Sequence, residues 1–373
     1  MTAREATERI HAGPLAVGGG APVSVQTMAD TDTRDVAASA AQALECFEAG
    51  ADAVRFAVPD AEAARALRGI KDALGPARPI VADVHFDYRL ALLAVDSGVD
   101  ALRINPGNIG SPERVAEVAA AAAGRGIPIR VGVNAGSLDA DLLARHGGAT
   151  AQALVESALR EISVLEDAGF SAIAVSVKAS DVPRTVEAYR LLSRKTRHPL
   201  HLGLTEAGTL RRGTVASAAA LGILLSEGIG DTIRVSLTAP PVEEVKAGIE
   251  LLRALGLREG GASVTSCPGC GRTRCDLAGT AARVEDALEA LYRAEPDLAR
   301  PKVAVMGCAV NGPGEAREAD IALVGADGGF LLYENGRRGA FVPDAGAAAR
   351  LVEAVRDFSR RKSSGGGAEG AIG

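Results

Sequence analysis

Three cysteines and a glutamate near the C-terminus are the residues best suited to chemistry in this chain. Cys267-Pro-Gly-Cys270-Gly-Arg comes first, and Met306-Gly-Cys308-Ala-Val-Asn-Gly-Pro-Gly-Glu315 follows. A C-x2-C turn presents two thiolates on one tight loop, an arrangement shared by zinc ribbons and iron–sulfur sites. A zinc ribbon wants a second C-x2-C pair, whereas Cys308 stands alone, and an all-cysteine set has to recruit Cys275. Spacing therefore leaves both an iron–sulfur cluster and a structural zinc open. The asymmetric fourth donor moves the balance toward the cluster. Carboxylate is a hard, weak ligand beside thiolate, so a metal held by Glu315 can release it and accept a substrate oxygen. That chemistry is the one-electron reduction of a substrate whose C–O bond is to be broken.

The elements that must position such groups repeat one unit. From residue 23 to 256 a short β-branched run ends in polar residues, and an alanine-rich segment with helical spacing follows. Strands are expected at 23–27, 53–57, 80–84, 101–104, 127–133, 172–177, 200–204 and 232–237. Helices are expected at 35–49, 62–73, 112–123, 152–168 and 242–255, among others. Eight βα units predict a closed (β/α)8 TIM-type barrel. The alternative, an open doubly wound sheet, lacks its glycine fingerprint, since Gly18-Gly19-Gly20 precedes the first strand and reads as a turn. Residues 1–22 form an N-terminal lead-in, and a glycine-containing break around 256–262 ends the 23–256 barrel. A small α+β domain is expected over 262–358, and 362–373 have a disordered-tail composition.

Barrel enzymes work at the C-terminal ends of their strands. Those ends carry Gln26 and Met28, Arg55, Asp83 and His85, Arg103 and Asn105, Arg130 and Asn134, Ser176 and Lys178, Thr205 and Glu206, Arg234 and Ser236. Four arginines and a lysine at one rim suit phosphate oxygens, which guanidinium forks hold bidentately. The competing reading pairs these arginines with Asp52, Asp83, Asp100 or Asp231 as barrel ion pairs. His201 reads as a core histidine and His85 as the functional candidate. Glu206 is a general-acid candidate, or else a carboxylate favouring a helix N-terminus.

Composition narrows the classes. The chain has 373 residues, 47% hydrophobic and 3% aromatic, no tryptophan, five cysteines and a net charge of −6. An acidic chain short of stacking residues does not read as a nucleic-acid binder. No apolar run reaches a membrane span; the best, 215–225, reads as a buried helix. Uneven cysteines and the lack of an export signal point to a reducing, cytoplasmic setting.

Eight blocks in order then carry a resemblance: V-G-G-G-A-P-V-S-V-Q-T-M-A-D-T-D-T, L-R-I-N-P-G-N-I-G, I-R-V-G-V-N-A-G-S-L, S-V-K-A-S-D-V, L-G-L-T-E-A-G, E-G-I-G-D-T-I-R-V-S-L, C-P-G-C-G-R and M-G-C-A-V-N-G-P-G-E. Over residues 10 to 355 the chain resembles the 4-hydroxy-3-methylbut-2-enyl diphosphate synthase family of the methylerythritol phosphate route to isoprenoids, in its short bacterial form. The resemblance implies a (β/α)8 barrel followed by a sulfite-reductase-like [4Fe-4S] domain. It implies reduction of 2-C-methyl-D-erythritol 2,4-cyclodiphosphate to the linear hydroxymethylbutenyl diphosphate, with electrons from reduced flavodoxin or ferredoxin. It places Cys267, Cys270, Cys308 and Glu315 on the cluster ligands. Arg55, Arg103, Asn105, Arg130, Asn134, Lys178 and Ser236 fall on substrate-holding positions. Glu206 with Thr205 faces the reacting carbons, and Asn311 lies beside the cluster. A head-to-tail homodimer is also implied. Cys275 is not a ligand in the family pattern and is a spare thiol or a competing ligand.

Overall fold

The computed structural model describes residues 2–310 and 312–365. They divide into two compact units, one up to Arg258 and one from Glu259. The expected functional residue Asn311 lies outside the described residues, as do 366–373 of the expected tail.

The first unit opens with a hairpin that the sequence did not signal, β1 (Ile10–Ala12) paired antiparallel with β2 (Leu15–Val17). Eight strands follow: β3 (Ser24–Met28), β4 (Ala53–Val58), β5 (Ile80–Val84), β6 (Ala101–Ile104), β7 (Ile129–Asn134), β8 (Ile173–Lys178), β9 (His201–Leu202) and β10 (Thr232–Ile233). They form one parallel sheet in the order β8-β7-β6-β5-β4-β3-β10-β9. A parallel bridge from Val175 of β8 to Leu200, just before β9, joins the two ends. The (β/α)8 barrel is therefore present.

Local chemistry explains the helices between the strands. Asp35, Asp60 and Asp181 each accept a first-turn amide of the helix they precede, at 3.0, 2.9 and 2.9 Å, which satisfies otherwise orphaned N–H groups. The helices bury alanine, leucine and valine against strands whose residues are nearly all buried on both faces. The hairpin fills the opposite end from the strand termini. Ala12 and Leu15 pack on Ala53, Val81 and Ala101, while Ile10 and Val17 pack on Ala174. The apolar run at 215–225 is not buried throughout: it lies on the helix Leu210–Ser226, with Leu221 and Leu224 inside and Val215 and Ile223 exposed.

The second unit is a five-stranded sheet in sequence order: β11 (Val264–Ser266), β12 (Val303–Met306), β13 (Ile321–Ala326), β14 (Gly329–Glu334) and β15 (Arg337–Pro343). The first three are parallel and the last two antiparallel. Alternation divides its faces: Val303, Val305, Ile321 and Leu323 pack with the helices Leu277–Ala294 and Ala347–Gly365, and Ala304, Met306, Ala322 and Val324 with the helix Gly312–Glu318. The C-terminal helix runs to Gly365, so the first residues of the expected disordered tail are helical.

Candidate active site and metal centre

The strand termini of the barrel enclose a cavity of about 120 Å³. Arg55, Asp83, His85, Arg103, Arg130, Asn134, Ser176, Lys178, Thr205, Arg234 and Ser236 line it. Parallel register brings them together: Arg55 stands beside Met28, Asp83 beside Arg103, Arg103 beside Arg130, and Asn134 beside Lys178.

The competing ion-pair reading holds for part of this rim. Asp83 accepts from Arg103 Nη1 at 3.2 Å and lies 3.7 Å from Arg55 Nε. His85 Nε2 is 2.7 Å from Arg103 Nη1 and 3.5 Å from Asp83. Arg234 makes a bidentate pair with Glu244, at 3.1 and 3.0 Å, from the helix Pro241–Ala254. The other carboxylates are engaged elsewhere: Asp52 with Arg258, Asp100 with Lys71, and Asp231 with Thr7 and the Leu200 amide.

Two carboxylates thus face five buried or half-buried cations, and the surplus appears in the acid–base behaviour. Burial alone would raise the Asp83 carboxyl, but Arg55, the His85 hydrogen bond and Arg103 together hold it far below the usual carboxylate range. Burial pulls Arg55 down to about 10, against the raising effect of Asp83. Lys178 is 7% exposed and has no hydrogen bond or ion pair among the described residues. Burial, then Arg130 and Arg55, push its ammonium well below the usual lysine range. His201 is fully buried in the barrel core and held neutral, first by desolvation and then by Arg130 and Lys178.

Two glycines make room for the cations. A Cβ on Gly132 would lie 2.3 Å from Arg103 Nε, and one on Gly203 would lie 2.9 Å from Lys178 Nζ. Glu206 is exposed at the rim and adopts a left-handed backbone at φ 54°. In a non-glycine residue such strain tends to mark functional positions. Asn105 differs from the other sequence candidates: it is 5% exposed and lies off the cavity wall, its amide bonded to the Glu161 carboxyl. Glu161 and Glu244 escaped sequence reasoning. Both are helix carboxylates that look like ordinary surface groups in a helical pattern, although Glu244 is 3% exposed and Glu161 8%.

In the second unit, β11 and β12 end side by side, Ser266 in register with Val305. Cys267 and Cys308 therefore emerge at one end of the sheet. The Gly307 amide donates to Cys267 Sγ at 3.2 Å, the kind of bond that orients a ligating sulfur. Gly269, at φ 77°, turns the loop between Cys267 and the exposed Cys270, whose amide donates to Thr273 Oγ1 at 3.1 Å. Glu315 is exposed in the first turn of the helix Gly312–Glu318. Among the described residues no three histidine, cysteine or acidic side chains converge on one metal position. In kind the donors suit a cluster, three thiols and one carboxylate, with Cys267 and Cys308 following neighbouring strand ends. Cys275 lies close by, its Sγ 3.8 Å from the Gly307 carbonyl, and burial raises its thiol to about 11.

Residues 7–249 match the GcpE TIM-barrel domain and 263–357 the GcpE protein C-terminal domain. A relative from Geobacter sulfurreducens, named 4-hydroxy-3-methylbut-2-en-1-yl diphosphate synthase (flavodoxin), is 51% identical, covering 95% of this chain and 99% of its own. Relatives of the same name from Desulfotalea psychrophila and Azotobacter vinelandii are 53% and 51% identical, over 90% and 97% of this chain and 91% and 94% of their own. Among solved structures, the chain is similar to the dihydropteroate synthase of Xanthomonas albilineans, with a TM-score of 0.47 and 17% identity, covering 67% of this chain and 97% of that one. With both domains matched in order and half the residues identical over nearly the full length, the chain belongs to the GcpE family.

Proposed function

We propose that this chain reduces 2-C-methyl-D-erythritol 2,4-cyclodiphosphate to 4-hydroxy-3-methylbut-2-enyl diphosphate and water. Two electrons and two protons enter, the bond to the bridging diphosphate oxygen opens, and a hydroxyl leaves. The observation that carries this reading is the cavity itself, with five cations against two carboxylates at the strand ends of a GcpE-family barrel. Arg55, Arg103, Arg130 and Lys178 bind the diphosphate, and the anion repays the desolvation that keeps Lys178 below its ordinary basicity. His85, Asn134, Thr205 and Ser236 orient the carbon chain. Glu206, strained and exposed at the rim, delivers a proton from its carboxyl to the departing hydroxyl.

Cys267, Cys270, Cys308 and Glu315 would hold a [4Fe-4S] cluster, which when bound supplies electrons one at a time. The Gly307 amide on Cys267 Sγ supports that assignment. Reduced flavodoxin is the proposed donor, the one named for the relatives, with ferredoxin as the alternative. The working form is a head-to-tail homodimer in the cytoplasm. No helix among the described residues is long and apolar enough to cross a membrane.

The decisive measurement is anaerobic reconstitution followed by iron analysis, Mössbauer spectroscopy and turnover of the cyclic diphosphate with a chemical reductant. Iron in a [4Fe-4S] cluster with product formation is expected. Tetrahedral zinc without iron would end the proposal. Glu206→Gln should lower kcat and leave KM near the original value.

A further inference from the structure

Behind the cavity wall lies a pair of groups that the reaction does not explain. Asn105 follows β6 and is 5% exposed; Glu161, on the helix Ala151–Asp167, is 8% exposed. Asn105 Oδ1 and Glu161 Oε2 are both buried without a hydrogen-bond partner. The two side chains meet over Gly107, where an added Cβ would lie 3.3 Å from Asn105 Oδ1 and 3.8 Å from Glu161 Oε1. Two buried acceptor oxygens without a donor forfeit the hydrogen bonds that water would give them. A carboxylic acid supplies the missing donor, whereas a carboxylate does not.

Charge argues the same way. The charges acting on Glu161 are Arg103 from β6 and Asp139 from the loop after β7, and its hydrogen-bonding neighbours are Asn105 and, on its own helix, Ser157. Arg103 is shared with Asp83, His85 and the Gly132 carbonyl. A further carboxylate in the field of that guanidinium would draw on the same positive charge as any anion arriving in the cavity.

We infer that Glu161 is a positioning residue for the anion cradle. As a neutral acid it holds Asn105 and leaves Arg103 to the substrate; without its proton it competes for Arg103. Burial is the main force that keeps the acid form, raising the carboxyl to about 8, with Asp139 adding and Arg103 opposing. This inference rests on the rim being the diphosphate site.

The test is calorimetric binding of inorganic pyrophosphate to the full chain between pH 7 and pH 9. For complete competition the apparent Kd should rise about tenfold over that interval, as the binding-competent fraction falls. Glu161→Gln, neutral and of the same shape, should bind as the original chain does at pH 7 and lose most of the rise. Glu161→Ala, which frees Asn105, should weaken binding already at pH 7. The same rise in Glu161→Gln would overturn the inference, as would a flat profile in the original chain. Arg130→Met separates the two readings, because binding unaffected by that change refutes the rim as the anion site. Circular dichroism of each variant checks that the fold persists.

Discussion

Gly132, in the middle of β7, offers the sharpest perturbation of the site. Arg103 packs against it while Nη1 bonds Asp83 and His85, and Nη2 donates to the Gly132 carbonyl at 2.8 Å. In Gly132→Ala the new methyl carbon would stand 2.3 Å from Nε, 2.7 Å from Nη2 and 2.8 Å from Cζ. No backbone atom is among these neighbours, so the guanidinium moves and the barrel stays. Overpacking of this kind costs about 1–3 kcal/mol, a melting shift of roughly 2 to 10 °C for a unit of this size. The larger effect falls on binding. Losing one charge-assisted contact to an anion costs about 1.5–3 kcal/mol, which weakens pyrophosphate about 10- to 150-fold. Titration calorimetry reads the binding and differential scanning fluorimetry the stability. A double-mutant cycle isolates the cause: in an Arg103→Ala background the glycine change should cost binding almost nothing. An equal cost in both backgrounds, or unchanged binding in the folded single variant, would refute the steric argument.

Other expectations follow from the same charges. Burial and the neighbouring arginines hold Lys178 below its ordinary basicity, and an anion beside it acts in the opposite direction. Pyrophosphate binding should therefore shift proton binding toward uptake, read by calorimetry in buffers of different ionisation enthalpy, and Lys178→Met should reduce that uptake. Asp83→Asn leaves Arg55 and Arg103 without their shared carboxylate and should cost about 3 kcal/mol at pH 7. Because the Asp83 carboxyl is depressed in the folded chain, that contribution is intact above the unfolded value of about 4 and fades below it. Denaturant titrations of the two chains should accordingly draw closer by about 1 kcal/mol between pH 7 and pH 3. Iron loading should survive Cys275→Ser and be lost in Cys267→Ser; loss in both would make Cys275 a ligand.

How much of this was legible in the sequence depends on what each residue does. The barrel strands could be read because each is a β-branched run buried on both faces, and their C-terminal polar residues then had to share one rim. The last two were expected longer than β9 and β10 turn out to be. A Cβ on Gly203 would lie 2.8 Å from the Arg234 carbonyl, an approach of backbones that no local pattern records. The strand β15 carries little sequence signal for a different reason. Only Val342 is buried along it, so it has no alternation to detect; its single signal was the Asn335-Gly336 turn, with both residues left-handed. Gly-Pro-Gly concealed the helix bearing Glu315, since those residues ordinarily break helices.

The anion site divides along the same line. Residue types at strand ends suggested positive charge, but each arginine taken singly had an ion-pair explanation, and Asp83 and Glu244 show that explanation to be correct for three of them. The cations without a carboxylate partner are the remainder, Arg130 and Lys178. Both are buried; among the described residues Arg130 reaches only the side-chain Oε1 of Gln26, at 3.4 Å, and Lys178 reaches nothing. A barrel selected for stability alone would place a carboxylate or an apolar side chain there, because unpaired buried charge is among the costliest features a core can hold. Gly132 and Gly203 give up side chains to admit Arg103 and Lys178. A fold that accepts that cost needs a compensating charge from outside, and one with several oxygens at the spacing of a diphosphate is what five converging cations can share.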